Sequence, residues 1–317
     1  MGSLVRGSHP GRHGIVANTM LAPGVTGDRI IDTSDYTHLD ALTMANGGVL
    51  LGATTLAQRL AQAGQRVAVA GGGTPGATVL WSDRERSRLV NPGTAFGIAD
   101  LFALREKVGP VPARDTSVGE RSPYLTQAVI DLFFDDPDNR VIVLWNDTPD
   151  SSLHRFGLGS PEATVSLRSV DASVHTLLDA PDRRGLRDAL NVFVMSDHGH
   201  STVRAHRTLC QYLQQAACDA HGLPPLTSAS DFTYALLGSP EPTAAQLAPF
   251  VAWLRAQAWG DVVLGGTPEI SALPGVIALA DLWGGRVHAR RPLLAVSPAW
   301  SDGPLAISTA CRAVWPL

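Results

Sequence analysis

Two apolar runs of the chain are each followed by an aspartate and a histidine. "RVIVLWNDTPDSSLH" ends in Asp150 and His154, four residues apart, and one turn of helix would place both on the same side. "NVFVMSDHGH" leads to Asp197 and His198. An Asp oxygen together with a His nitrogen suits zinc or manganese better than calcium or magnesium. Considered separately, Asp197 could cap a helix and His154 could be an exposed loop residue, but two such pairs favour a metal site.

A recurring local pattern of helix, turn and apolar strand would position these pairs. It predicts helices over residues 54–64, 122–136 and 160–180 and strands over residues 65–73, 140–146, 190–197 and 291–297. Thr55 with Gln58 forms a capping box, and Ser160 is the expected N-cap of the third helix, with Pro161 after it. Helices that alternate with nearly continuous apolar strands favour an α/β fold, in which a mainly parallel central sheet is flanked by helices. Ligands in such sheets lie beyond the carboxyl ends of the strands, where both Asp/His pairs follow.

Residues 205–280 interrupt this rhythm with clusters of Pro, Ser and Thr and a Trp-rich helix around "VAWLRAQAWG". We interpret residues 205–280 as an insertion or small cap, and residues 1–204 together with 281–317 as the α/β core. The 3 cysteines, one of them Cys218, form no CxxC or zinc-knuckle spacing. Their odd number favours free buried thiols over a disulfide.

Composition excludes several classes of function. The chain has 317 residues, 44% of them hydrophobic, and a net charge of -4, so it can bury a large core and has no basic field for a nucleic-acid polymer. No apolar run approaches the ~20 residues that span a bilayer, so no membrane partner is expected. The first residues lack the apolar core of a signal peptide, which predicts a cytoplasmic protein unless an export signal precedes Met1. The oligomeric state is not indicated.

Three segments carry a resemblance to a known family. "HPGRHGIVAN" near the start, "PDSSLHRFGLGSPE" before a long helix and "SDHGH" after an apolar strand resemble, in this order, the type I phosphodiesterase/nucleotide pyrophosphatase branch of the alkaline phosphatase superfamily. The resemblance covers most of the chain and is weakest over residues 205–280. It implies an alkaline-phosphatase-like α/β fold and a phosphoester hydrolase acting on small phosphodiester or nucleotide-type substrates with two divalent ions, zinc or manganese.

The resemblance also assigns roles to individual residues. It implies that Asp150 and His154 bind one metal ion and that Asp197 and His198 bind the other. Asn18 matches the asparagine that donates a hydrogen bond to a phosphate oxygen, although it could be only a turn residue. Two cations a few ångströms apart would stabilise the attacking and leaving oxygens and lower the pKa of the nucleophile.

Other residues are expected to play lesser parts. His13 is similar to the family's structural histidine, and His200 is expected to support the metal pair or to lie at the surface. The Gly-rich segment "GGGTPGA" lacks the Lys-Ser/Thr of a phosphate-binding P-loop, so we interpret it as the turn after a strand, near the site.

The chain departs from the family pattern at both ends. The family's nucleophilic Thr or Ser lies about sixteen residues before the histidine that matches His13, and counting back leads beyond Met1. Ser3 and Ser8 do not occupy its place. The family's last metal-binding histidine is followed by Gly, whereas His288, the last histidine here, is not. We therefore expect the printed chain to lack both ends of the family's domain, with doubtful metal occupancy.

Three interpretations remain open from the sequence. The chain is a phosphoester hydrolase that lacks the nucleophile segment, a non-catalytic remnant that binds metal or phosphate weakly, or a relative of the phosphonate hydrolases and phosphomutases. A sulfatase is disfavoured because the chain has no C/S-x-P-x-R motif.

Overall fold

The computed structural model describes residues 1–22, 25, 30–52, 54–94, 97–112, 120–200, 213, 215–230, 232–236, 239–257 and 260–298. The chain divides into two compact units. The first unit contains Met1, Ser34–Tyr36 and Thr54–Thr202, and the second contains Gly2–Thr33, Thr37–Ala53 and Val203–Leu317.

Short strands and helices alternate along the described residues. The strands are β1 (Thr19–Leu21), β2 (Ile30–Asp32), β3 (Arg66–Gly71), β4 (Arg88–Val90), β5 (Asn139–Trp145), β6 (Leu226–Ala229), β7 (Phe232–Ala235), β8 (Gly260–Gly265), β9 (Val276–Ala278) and β10 (Leu294–Pro298). The α-helices are α1 (Pro10–His13), α2 (Tyr36–Ala45), α3 (Leu56–Gln62), α4 (Pro75–Leu80), α5 (Ile98–Val108), α6 (Arg121–Ala128), α7 (Asp150–Phe156), α8 (Pro161–Arg183), α9 (Ala244–Ala256), α10 (Pro268–Ser271) and α11 (Leu279–Leu282). A π-helical turn, Val129–Phe133, extends α6.

The first unit is built on a parallel sheet in the order β4-β3-β5. The sequence predictions of strands at 65–73 and 140–146 are confirmed by β3 and β5. Residues Val67 to Ala70 of β3 are completely buried, because α3, α4 and α6 pack against this strand. This burial explains why β3 reads as a continuous apolar run. The predicted α/β class with a parallel sheet is therefore confirmed.

Two helices of this unit begin at the predicted caps. Thr55 and Gln58 form both hydrogen bonds of a capping box at the start of α3, with N···O distances of 2.9 and 3.0 Å. The Ser160 hydroxyl accepts a hydrogen bond from the Ala163 N–H at 3.1 Å, and Pro161 occupies the first turn of α8. These local signals fix the start of α8, the helix against which α7 packs.

The predicted strand over residues 190–197 is wrong. Residues 190–200, all of them described, form neither a β-strand nor an α-helix. The side chains of Val192, Phe193, Val194 and Met195 are 56, 79, 74 and 59% exposed. An apolar, β-branched run becomes a strand only where a neighbour satisfies its backbone hydrogen bonds. Among the described residues, β5 pairs with β3 alone, so residues 190–197 have no partner strand there.

We expect the exposed run at 192–195 to promote association between chains, since extended apolar segments without a partner strand are aggregation-prone. Replacing Val194, which is 74% exposed, by Lys should lower concentration-dependent light scattering while leaving the unfolding midpoint unchanged. Val165→Lys, at a 52% exposed position on α8, is the matched control. Equal scattering of the two variants would show that the run does not drive association.

The second unit contains a mixed sheet in the order β6-β7-β10-β8-β9. The strand predicted at 291–297 is present as β10, but it pairs antiparallel with β7 and β8 in this sheet instead of joining the parallel sheet. The predicted Trp-rich helix is α9, which is preceded by the N-cap Thr243 and its capping box with Gln246. Its apolar side, including Phe250 and Leu254, packs in one core with β8 and β10. None of the helices described here is long and apolar enough to cross a bilayer.

Candidate metal centre

The carboxylate of Asp150 lies among three histidines in the first unit. Its Oδ1 atom is 2.8 Å from His200 Nε2, 3.4 Å from His154 Nε2 and 3.6 Å from His198 Nε2. Asp197 lies beside the same cluster, with its Oδ1 atom 3.8 Å from His198 Nε2. The two Asp/His pairs that the sequence singles out therefore meet around one carboxylate.

Helix α7 positions Asp150 and His154. The strand β5 ends at Trp145, and after a short turn α7 begins at Asp150, so the carboxylate lies just beyond the carboxyl end of a parallel strand. The four-residue spacing places Asp150 and His154 on one side of the helix, as predicted. Ser152 of α7 is buried and shares a hydrogen bond with Ser166 of α8. This contact fixes the rotation of α7 and hence the direction of both candidate ligands.

The segment after residue 195 supplies the other histidines. His198 and His200 are two residues apart, and their ring centroids are 5.2 Å apart. His198 Nδ1 lies 2.9 Å from the Gly199 carbonyl oxygen, and the Ser196 hydroxyl donates to the His198 carbonyl at 2.5 Å. With Nδ1–H donating to Gly199, the Nε2 lone pair of His198 would face Asp150.

The ligand atoms of Asp150, His154 and His200 all lie within 4.8 Å of one another. Two ligands that each lie about 2.1 Å from a tetrahedral ion are about 3.4 Å apart, which matches the 3.4 Å between Asp150 Oδ1 and His154 Nε2, whereas the 2.8 Å between Asp150 Oδ1 and His200 Nε2 is a hydrogen-bond distance. One carboxylate oxygen with two imidazole nitrogens is also a donor set of catalytic zinc sites, which keep a fourth position open. These residues therefore fit a zinc-type ion.

The cluster is open to solvent on one side. The side chains of Asp150 and His154 are each 46% exposed, whereas that of His200 is 15% exposed. The His154 and His200 rings make an edge-to-face contact, with centroids 4.9 Å apart. The sequence analysis does not place His200 among the ligands. The overlooked signal is the His-x-His spacing of "DHGH", which lets both imidazoles face one point.

The Gly-rich segment packs against the turn that leads to Asp150. Gly72 donates its N–H to the Trp145 carbonyl at 2.9 Å. A Cβ atom on Gly72 would lie 2.8 Å from Leu125 Cδ1 and 2.9 Å from Asp147 Oδ1, so a larger residue there would displace these two side chains. Gly72 to Thr74 form the predicted turn after β3, whereas Pro75 to Ala77 of the same segment belong to α4.

The remaining candidates, Asn18, His13 and His288, lie in the second unit. Asn18 precedes β1, is exposed, and accepts a hydrogen bond from the Thr33 N–H through its backbone carbonyl at 2.8 Å. Its role toward phosphate stays a prediction. His13 is 1% exposed, and its Nδ1 accepts a hydrogen bond from the Ile15 N–H at 3.1 Å, as expected of a structural histidine.

Curated relatives match a short stretch of the chain. Human ectonucleotide pyrophosphatase/phosphodiesterase family member 7 is 39% identical over 71 residues, which are 22% of this chain and 16% of that protein. The venom phosphodiesterase of Macrovipera lebetinus is 27% identical over 66 residues, which are 21% of this chain and 8% of that protein. The matched stretch thus spans 16% or less of the length of these two relatives.

A solved structure shares the fold. The structure of murine ectonucleotide pyrophosphatase / phosphodiesterase 5, an inactive variant in complex with AMP, matches with a TM-score of 0.59 at 20% identity, over 98% of this chain and 68% of that one. The likeness confirms the predicted alkaline-phosphatase-like α/β fold. The sequence model of the type I phosphodiesterase / nucleotide pyrophosphatase family matches residues 1–262, well over half of the chain. The chain therefore belongs to the type I phosphodiesterase / nucleotide pyrophosphatase family.

Proposed function

We propose that this chain is a metal-dependent phosphoester hydrolase for small phosphodiester or nucleotide-type substrates. The observation that carries the proposal is the convergence of Asp150, His154 and His200 beyond the carboxyl end of β5 in a member of this family. The AMP bound to the murine neighbour supports a nucleotide-type substrate. The net charge of -4 disfavours a nucleic-acid polymer.

The donor atoms divide into two groups. Asp150, His154 and His200 would hold one divalent ion, while Asp197 and His198 would contribute to a second. Mixed oxygen and nitrogen ligands favour zinc, with manganese as the alternative. Bound divalent ions supply positive charge to the attacking and leaving oxygens of a phosphoester and lower the pKa of the attacking group.

The protein residues would bind and orient the substrate. The 46% exposure of Asp150 and His154 leaves room for a phosphate group beside the ligands. Asn18 belongs to the second unit, and its hydrogen bond to a phosphoryl oxygen, where negative charge grows during the reaction, stays a prediction of the family resemblance.

The test is hydrolysis by the chain after metal removal and reconstitution with zinc or manganese. We expect metal-dependent release of nitrophenol from bis(4-nitrophenyl) phosphate, faster than from 4-nitrophenyl phosphate, and at least about a hundredfold slower release in His200→Ala. Faster cleavage of a nitrophenyl phosphonate would favour the phosphonate hydrolase alternative. Metal binding without any hydrolysis would favour the non-catalytic remnant.

A further inference from the structure

A cluster of basic side chains in the second unit takes no part in the metal centre. This basic cluster consists of Arg6, His13, His288 and Arg290. Arg290 Nη1 donates to the Gly14 carbonyl at 2.9 Å. A Cβ atom on Gly14 would lie 2.6 Å from both Arg290 Nη1 and His288 Nε2. Residues from the two ends of the sequence therefore meet at Gly14, directly beside His13.

Arg6 and Ser8, two residues apart near the start of the chain, have buried donors without acceptors. Arg6 Nε and Nη1 are buried and, among the described residues, have no hydrogen-bond partner. The Ser8 hydroxyl oxygen is also buried and has no hydrogen-bond partner among the described residues. Buried N–H and O–H groups without acceptors are unfavourable unless a ligand supplies the missing oxygen atoms.

The positive charge of the cluster is not balanced by a neighbouring carboxylate in the described part of the chain. Burial lowers the pKa of Arg6 to about 10. Burial, followed by the charges of Arg6, the N-terminus, His288 and His9, lowers the pKa of His13 to about 4. Burial and then Arg290 lower the pKa of His288, and burial lowers that of Arg290. No acidic side chain contributes to these shifts, and the two histidines are mostly neutral at pH 7, so Arg6 and Arg290 carry the positive charge that an anion would meet here.

We propose that the basic cluster is an oxyanion-binding site for a phosphate group, with Arg6 and Ser8 as its principal donors. Guanidinium and hydroxyl groups make strong charge-assisted hydrogen bonds to phosphate oxygens. Inorganic phosphate and a phosphate monoester present the same oxygens. The site shares no residue with the metal centre, so it does not depend on the proposed hydrolase activity.

The test is phosphate binding by the full chain in the presence of a chelator, which removes metal-dependent binding at Asp150. We expect inorganic phosphate to raise the thermal unfolding midpoint relative to chloride at equal ionic strength. Arg6→Met should bind phosphate at least about tenfold more weakly by calorimetry. The exposed Arg12 lies in the same segment, and Arg12→Met should bind like the wild type.

Stability in phosphate-free buffer separates lost binding from lost folding. Arg6→Met should be at least as stable as the wild type there, because it removes two buried nitrogen atoms that have no hydrogen-bond partner. Ser8→Ala is a second, milder variant and should weaken phosphate binding several-fold. Comparing inorganic phosphate with glycerol phosphate identifies the source of the phosphate group, since the natural ligand should bind more tightly. The proposal would be overturned if the wild type bound neither compound, or if wild type, Arg6→Met and Ser8→Ala bound phosphate equally well.

Discussion

Replacing Asp150 by Asn is expected to weaken zinc binding at least about a hundredfold, the largest effect of any single substitution at the metal centre. Asp150 supplies the only anionic atom of the three-ligand group, and its Oδ1 lies 2.8 Å from His200 Nε2 and 3.4 Å from His154 Nε2. Asn keeps the shape but removes the charge that attracts the cation. Calorimetric zinc titration and metal counting by mass spectrometry after dialysis measure the loss.

A matched control exists on α8. His175 and Asp179 also form an i,i+4 pair, with a distance of 3.2 Å between His175 Nδ1 and Asp179 Oδ2, but they belong to no three-ligand group among the described residues. Asp179→Asn should leave the zinc affinity unchanged. His200→Ala, which leaves the Asp150/His154 pair intact, should fall between the two with about a tenfold loss. Similar losses in Asp150→Asn and Asp179→Asn would refute the metal centre.

The parts of the site that follow from local sequence are predictable. The spacing of Asp150 and His154 needs only one turn of helix, and α7 provides it. The cap at Ser160 sets the start of α8, against which α7 packs. The alternation of helices with apolar strands likewise indicates the parallel sheet. A strand that is buried on both faces, such as β3, needs apolar residues at successive positions, and this pattern is visible in its sequence.

The features that the sequence does not predict depend on contacts between residues that are far apart in the chain. His200 joins Asp150, 50 positions earlier in the chain, and no local pattern encodes that contact. The run at 190–197 has the composition of a strand, but strand formation also requires a partner strand, and composition does not show whether one is present. The same holds for β10, whose apolar letters predict a strand but do not choose between a parallel sheet and the antiparallel neighbours β7 and β8.

The stability of the second unit is expected to fall as the pH is lowered from 6.5 toward 4, because of His13. Burial first, and then the charge of Arg6, lowers the pKa of this histidine from 6.5 to about 4 in the folded chain. Above 6.5 the ring is neutral in both the folded and unfolded states and the pH has no effect. Below pH 6.5 the unfolded chain binds a proton at this histidine and the folded chain does not. The free energy of unfolding therefore decreases, by about 3 kcal/mol once the pH is below 4.

His13→Asn isolates this contribution. The Asn side-chain oxygen can still accept the Ile15 N–H, which His13 Nδ1 receives at 3.1 Å, but it does not titrate. Denaturant unfolding at several pH values should therefore give a flatter profile for His13→Asn than for the wild type, even if the variant is less stable at neutral pH. His175→Asn, at a side chain that is 79% exposed, should keep the wild-type slope.

The salt dependence of the difference between the two pH profiles distinguishes burial from charge repulsion as the cause of the lowered pKa of His13. His13 is 1% exposed, and Gly2 lies against its ring, so hydration of a protonated ring requires local opening. If enclosure dominates, the difference between wild type and His13→Asn persists at high salt, since salt screens charges but does not hydrate a buried ring. A difference that disappears at high salt would assign the shift to Arg6 and the other basic neighbours instead. Parallel profiles for wild type and His13→Asn at every salt concentration would show that His13 does not couple protonation to folding at all.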